Sequence, residues 1–270
     1  MRKSVAKLFR ILFTGSAFFV FWMGGALITW FVFPVVQFLH RAEPVIAQRR
    51  CRWILNRALR FHADYMRFFR LIDFDSRAVE RQLPRGPFVL VSNHPSLIDV
   101  VLLLATCPTL YCLVKGPVMR SPFVGRMLRY CNHIDAGDGD AASGALAVQG
   151  AIERLRAGDP VLIFPEGTRS PIEGIGPFKK GAFMIAHEAK VPVVPIWIAT
   201  KPRGLMRGMK WYMVPDDTMR YTFKLFTPLS TESFAGDARR MAAEVRALFV
   251  EPADAPSMSS SAAGNLTSER

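Results

Sequence analysis

The spacing of apolar residues divides the chain into stretches of different character. From Ile11 to Leu39 no side chain is charged, and Arg10 and Arg41 bracket the run. At about 1.5 Å per residue such a run crosses the hydrocarbon core as one tilted helix. It is too long for a signal peptide and has no small-residue cleavage site at its end. Gly24 and Gly25 interrupt it near the centre, and both flanks are basic: Arg2, Lys3, Lys7 and Arg10 before, Arg41, Arg49, Arg50 and Arg52 after. The positive-inside rule then favours a re-entrant hairpin whose halves reach only about 20 Å each. Residues 1–41 are expected to be a membrane anchor in one of these two forms.

From Val45 to Leu71 the period becomes helical. Trp53, Ile54, Leu59, Phe61, Met66, Phe68 and Phe69 alternate with Arg49, Arg50, Arg52, Arg57, Arg60, Arg67 and Arg70. Residues 42–75 therefore read as a basic amphipathic helix in the headgroup layer, its arginines snorkelling towards phosphate. The bland alternative is a helix packed on the following domain with a solvated arginine face.

Beyond Pro87 the pattern turns to short apolar runs alternating with helical stretches. Strands are expected at 88–91, 110–114, 161–164, 193–198 and 221–226, and helices at 96–105, 142–156, 178–189 and 237–249. This alternation predicts an α/β fold, a mainly parallel mixed sheet flanked by helices, over residues 76–250. Residues 251–270, rich in Ala, Ser and Pro without periodicity, are expected to be disordered.

Half the residues are apolar, and the formal charge is +13. The cationic residues concentrate beside the apolar anchor, which favours an anionic lipid surface as partner. No recognition helix or aromatic RNA-binding strand is present, so nucleic acid is not expected to be a partner. The four cysteines lack a paired CxxC spacing, against a zinc ribbon or redox motif. Cys131-Asn132-His133 offers two ligand types, but the plain reading is apolar core cysteines, and no metal is expected. Few, irregularly spaced cysteines suit a reducing compartment, hence a cytosolic face.

Two turns carry the candidate chemistry. Residues 88–91 lead into Ser92-Asn93-His94-Pro95-Ser96-Leu97-Ile98-Asp99, which places His94 on a strand-to-helix turn, where α/β sheets bind ligands. Pro95 suits a first helical turn, with Ser92 or Asn93 capping. Asp99, one turn inside the helix, leans back to hold one imidazole N–H and leaves the other nitrogen free to take a proton. A capped turn with a structural histidine is the ordinary alternative. A Ser96-His94-Asp99 set lacks the GxSxG elbow of a serine hydrolase. The second turn, Phe164-Pro165-Glu166-Gly167-Thr168-Arg169-Ser170, follows the strand at 161–164. There Gly167 allows close backbone approach and Arg169 offers a fork suited to phosphate. By itself this too reads as a turn with a surface ion pair. Lys179 and Lys180 follow before a helix, but Ala182 stands where a P-loop needs lysine, which rules out nucleotide binding on that motif.

In order and spacing, Asn93-His94 with Asp99, then Phe164–Ser170, then Val191-Pro192-Val193-Val194-Pro195-Ile196 resemble the sequence blocks of the glycerolphosphate and lysophospholipid acyltransferase family. The resemblance covers roughly Pro87 to Thr200. It implies that His94 deprotonates an acceptor hydroxyl while Asp99 orients and charge-compensates it, and that the alkoxide attacks an acyl-CoA or acyl carrier protein thioester with no covalent acyl-enzyme. It implies substrate-binding roles for Glu166, Gly167, Thr168 and Arg169, and for Lys115, which occupies the family's lysine position in Leu113-Val114-Lys115-Gly116-Pro117. No metal or organic cofactor is implied. The expected acceptor is a lysophospholipid such as 1-acylglycerol-3-phosphate, used in phospholipid biosynthesis or remodelling at the cytoplasmic face of the inner (plasma) membrane. Two departures stand out: Pro95 directly after the histidine, and Ala136 where phosphate-gripping members carry arginine. The second keeps a non-glycerophosphate acceptor, such as an aminolipid, open as the alternative.

Overall fold

The computed structural model describes residues 2–254. Helix α1 (Arg2–Leu27) runs unbroken through Gly24 and Gly25, passes a π-helical turn at Ile28–Val32, and continues as α2 (Phe33–Leu39). The expected break at the glycines is absent. A side chain at Gly25 would press on the Phe123 ring at 3.3 Å, so this glycine serves close packing. The irregularity lies just before Pro34, whose missing N–H and bulky ring are accommodated by a wider turn. Arg10, Thr14, Ala17, Phe21, Gly25, Thr29, Phe33 and Gln37 form the inward face. Its contacts run the length of the helix: Arg10 donates to the carbonyls of Arg70, Pro215 and Asp217, Phe13 stacks on Phe69, Trp22 meets Phe123 and Phe33 meets Tyr130. The opposite face exposes Leu8, Leu12, Phe19, Trp30, Phe31 and Phe38.

Helix α3 (Pro44–Phe68) returns and packs on α5 (Asp99–Thr106). Two of its arginines turn inward instead of facing headgroups. Arg52 is buried over the Tyr111 ring at 3.9 Å and donates to Cys131 O, and Arg60 donates to Ala105 O and Thr106 O and pairs with Glu80. Asn56 donates to Leu104 O beside them. Asn56 and Arg60 satisfy the last carbonyls of α5, which have no partner within their own helix. Trp53, Phe61 and Phe68 stay on the outward face.

Seven strands follow in chain order: β1 (Ile72–Asp73), β2 (Val89–Ser92), β3 (Tyr111–Val114), β4 (Ile134–Asp135), β5 (Val161–Ile163), β6 (Val193–Lys201) and β7 (Met219–Leu225). They form one sheet in the order β1-β7-β6-β2-β5-β3-β4, parallel throughout except for the β6–β7 pair. Central strands buried on both faces read as continuous apolar runs, as Val89-Leu90-Val91 does. Leu90, Leu162 and Val194 point to the core under α3 and α5. Val89, Val91, Val161 and Ile163 point to the core under α8 (Ala141–Arg156), α9 (Gly181–Ala189) and α10 (Ala238–Asp254).

The two-residue strands β1 and β4 and the short helices α4 (Ser76–Glu80), α6 (Gly116–Met119) and α7 (Val124–Tyr130) are too brief to show a period, and periodicity alone did not reveal them. Helix α5 begins at Asp99, not at Ser96 as expected. Pro95 has no N–H, and the Asp99 carboxylate accepts the Ser96 N–H at 2.6 Å, closing a turn in place of the first helical residues. At the other end α10 extends past Pro252 to Asp254, and the rest of the expected disordered tail lies outside the described residues.

Candidate active site

Adjacent parallel strands β2, β5 and β3 deliver His94, the Glu166–Arg169 turn and Lys115 to one sheet edge, at their carboxyl ends. Asn93, buried beside His94, donates to Ile198 O at 2.8 Å and accepts from Ile198 N at 2.7 Å, which pins the turn to β6. The His94 ring stacks on Phe164 with centroids 4.4 Å apart. Its Nδ1 lies 2.9 Å from Asp99 Oδ2. Nε2 has no partner among the described residues, and the side chain is 19% exposed, so one ring nitrogen is held and the other faces outward.

Asp99 is fully buried and saturated with donors. Oδ2 takes His94 Nδ1 and the Ser96 N–H, while Oδ1 takes the Ser96 hydroxyl at 2.6 Å. Ser96 Oγ in turn accepts from the Tyr221 hydroxyl at 3.0 Å. Burial, with the Asp99 charge nearby, pushes the Tyr221 phenol well above its ordinary range and keeps it a donor. Ser96 is therefore a link behind the carboxylate and not a nucleophile facing His94 Nε2. A carboxylate so fixed sets the imidazole tautomer, with the proton on Nδ1 and a lone pair on Nε2.

The second turn locks onto the first. Ser170 N donates to His94 O at 2.8 Å, and His94 N donates to Ser170 Oγ at 3.1 Å. The Ser170 hydroxyl donates to Glu166 Oε1, and Gly176 N donates to Oε2 at 2.8 Å. Glu166 is buried, and each of its oxygens accepts one hydrogen bond from the chain itself. Gly167 sits at φ +66°, where a Cβ would meet the Lys179 side chain at 3.2 Å. Thr168 is exposed. Arg169, half-buried, and Lys115 and Lys179, both exposed, make no ion pair among the described residues. The same sheet edge therefore carries three cations without ion-pair partners among the described residues and an imidazole with one free ring nitrogen, which can take a proton from a hydroxyl.

His133 lies elsewhere: its Nδ1 accepts the Cys112 N–H at 3.0 Å, and burial pushes its pKa down to about 3. Sequence reasoning missed Phe164, Ser170 and Tyr221 as functional neighbours. Ser96 was visible three residues before Asp99, but no local signal distinguishes Tyr221, which arrives from a strand 125 residues away.

The chain matches the model of the acyltransferase family over residues 76–199. It is 32% identical over 191 residues to a 1-acyl-sn-glycerol-3-phosphate acyltransferase of Pseudomonas aeruginosa, covering 70% of this chain and 68% of that one. A chloroplastic 1-acyl-sn-glycerol-3-phosphate acyltransferase of Brassica napus is 30% identical over 158 residues, 58% of this chain. The match spans about half the length of that relative and of one from Chlamydomonas reinhardtii, 46% and 48%. The crystal structure of a 1-acyl-sn-glycerophosphate acyltransferase from Thermotoga maritima superposes with a TM-score of 0.63 at 22% identity, covering 93% of this chain and 96% of that one, a likeness of fold.

Proposed function

The chain belongs to the acyltransferase family, and from that premise we propose that it acylates the free hydroxyl of a lysophospholipid, 1-acylglycerol-3-phosphate foremost, from an acyl thioester. The observation that carries the reading is the imidazole of His94, held at Nδ1 by buried Asp99 and open at Nε2, at the sheet edge that also carries Lys115 and Arg169. Nε2 takes the proton of the acceptor hydroxyl. The oxygen attacks the thioester carbonyl, a C–O bond forms, the C–S bond breaks, and the imidazolium returns its proton to the departing thiolate. Lys115 offers positive charge to the developing oxyanion, and Arg169 with Lys179 holds the acceptor phosphate. Glu166 and Ser170 position the second turn against His94. The thioester supplies the activation, so the scheme needs no metal or organic cofactor.

Residues 76–250 form the catalytic unit in this reading, with residues 1–41 as anchor and 42–75 as the interfacial helix beside it. Because the inward face of α1 and α2 contacts the protein from Arg10 to Gln37, a bilayer-normal span would drag the catalytic unit into the hydrocarbon. A helix lying in one leaflet with its apolar face down fits better than either a span or a hairpin. Trp211, Tyr212 and Met213, exposed in the loop that packs on Gly15 and Phe18, extend the same apolar surface. The cytoplasmic leaflet is the face that four free, irregularly spaced cysteines suit.

The test supplies labelled acyl-CoA and acyl carrier protein to detergent-purified protein with a panel of lysolipids, identifying products by mass. Phosphatidic acid is the expected product. The second reading rests on Ala136, which supplies no cation directly after β4; product formed only with phosphate-free acceptors would establish it and overturn the first.

A further inference from the structure

Away from His94, the tip of the α2–α3 hairpin and helix α7 enclose an open cavity of about 360 Å³ lined by Gln37, Gln48, Arg126, Arg129 and Tyr130. No carboxylate lines it, and neither arginine has an ion-pair partner among the described residues. Arg126 is held in place without neutralisation. Its guanidinium lies 4.2 Å over the Trp30 ring and donates to the Tyr130 hydroxyl at 3.4 Å. Arg129 donates to Met119 O, and Gln48 accepts from Asn132 at 2.9 Å, which turns the Gln48 amide N–H₂ away from that bond. The lining is thus rich in donors and cations, a lining for an oxyanion.

We propose that this cavity binds the phosphate headgroup of an anionic phospholipid, as a site separate from the acyl-transfer centre. The lipid source follows from the wall: the helix that contributes Gln37 exposes Val35, Phe38 and Leu39, and Trp30 and Phe31 lie one to two turns earlier. A headgroup entering here keeps its acyl chains against that apolar face. The volume, at the low end of the roughly 300–1,000 Å³ usual for ligand cavities, holds a headgroup and not a whole lipid. None of Phe164, Ser170 or Asp99, which surround His94, lines it. The bound headgroup bridges the hairpin to α7. Through the Arg129 contact to Met119, it steadies α6, the short helix that starts immediately after Lys115.

The experiment measures lipid binding to the full-length protein in neutral detergent by native mass spectrometry, with phosphatidylglycerol, phosphatidylcholine and inorganic phosphate as probes. This readout stands whether or not the acyl-transfer reading does. Phosphatidylglycerol is expected to bind and phosphatidylcholine not to. Arg126→Gln should weaken binding about fivefold, the worth of one cation near an anionic headgroup. Gln48→Glu, which adds a carboxylate to the lining with little change of shape, should weaken it at least as much. Wild-type binding in both variants overturns the site. Displacement by equimolar inorganic phosphate overturns the lipid assignment. A parallel rise in acceptor KM in both variants overturns the separateness, making the cavity part of the acceptor site.

Discussion

The turns after β2 and β5 occupy equivalent places on neighbouring parallel strands, and each carries one buried carboxylate, yet the two acids do different work. Asp99 spends one oxygen on an imidazole and so controls a group that faces outward. Glu166 engages the chain itself with both, through the Ser170 hydroxyl and the Gly176 N–H, and so fixes where its loop lies. The difference comes from what stands next to each acid. The first turn places a histidine within reach of its carboxylate. The second places a serine that reaches across to the backbone of that histidine. The hydrogen-bond partners of each acid, and not its neighbours in sequence, set what it holds in place.

Substitutions that break each side of this pairing should separate the roles. Asp99→Asn should lower kcat by about 10²-fold or more, because an amide at that site no longer fixes the imidazole tautomer, with KM little changed. Glu166→Gln should act first on stability. It sets an amide N–H₂ against either the Ser170 hydroxyl or the Gly176 N–H and should cost about 1–3 kcal/mol, read as a fall in Tm. A loss of activity with no loss of stability would return Glu166 to the acceptor. Arg169→Ala should raise KM for phosphate-bearing acceptors by about tenfold or more, the worth of one charge-assisted contact, and leave phosphate-free acceptors alone. Tyr221→Phe removes the last hydrogen bond behind Asp99 and should lower kcat about fivefold, near 1 kcal/mol, at unchanged KM.

The central strands were legible because burial on both faces writes a continuous apolar run, and His94 with Asp99 was legible because their contact spans only five residues. What the sequence hid was long-range or too short to carry a period. Tyr221 reaches Ser96 across 125 residues and Asn93 reaches Ile198 across 105, and nothing local marks either pair. Arg52 and Arg60 carry the same charge as their neighbours on α3, and partners distant in sequence select them for the interior: the Tyr111 ring and Cys131 O for Arg52, the orphan carbonyls of α5 and Glu80 for Arg60. Glycine at position 25 looked like a breaker because a sequence shows the missing side chain and not the Phe123 ring that requires it to be missing.

The proposed base, His94, can be tested directly. Purified wild type and His94→Ala, shown by circular dichroism and thermal melting to be equally folded, would be compared for transfer of labelled acyl groups from acyl-CoA and from acyl carrier protein to 1-acylglycerol-3-phosphate. Transfer should fall about 10²–10⁴-fold or more in the variant. Transfer by the variant at the wild-type rate would contradict that role for His94.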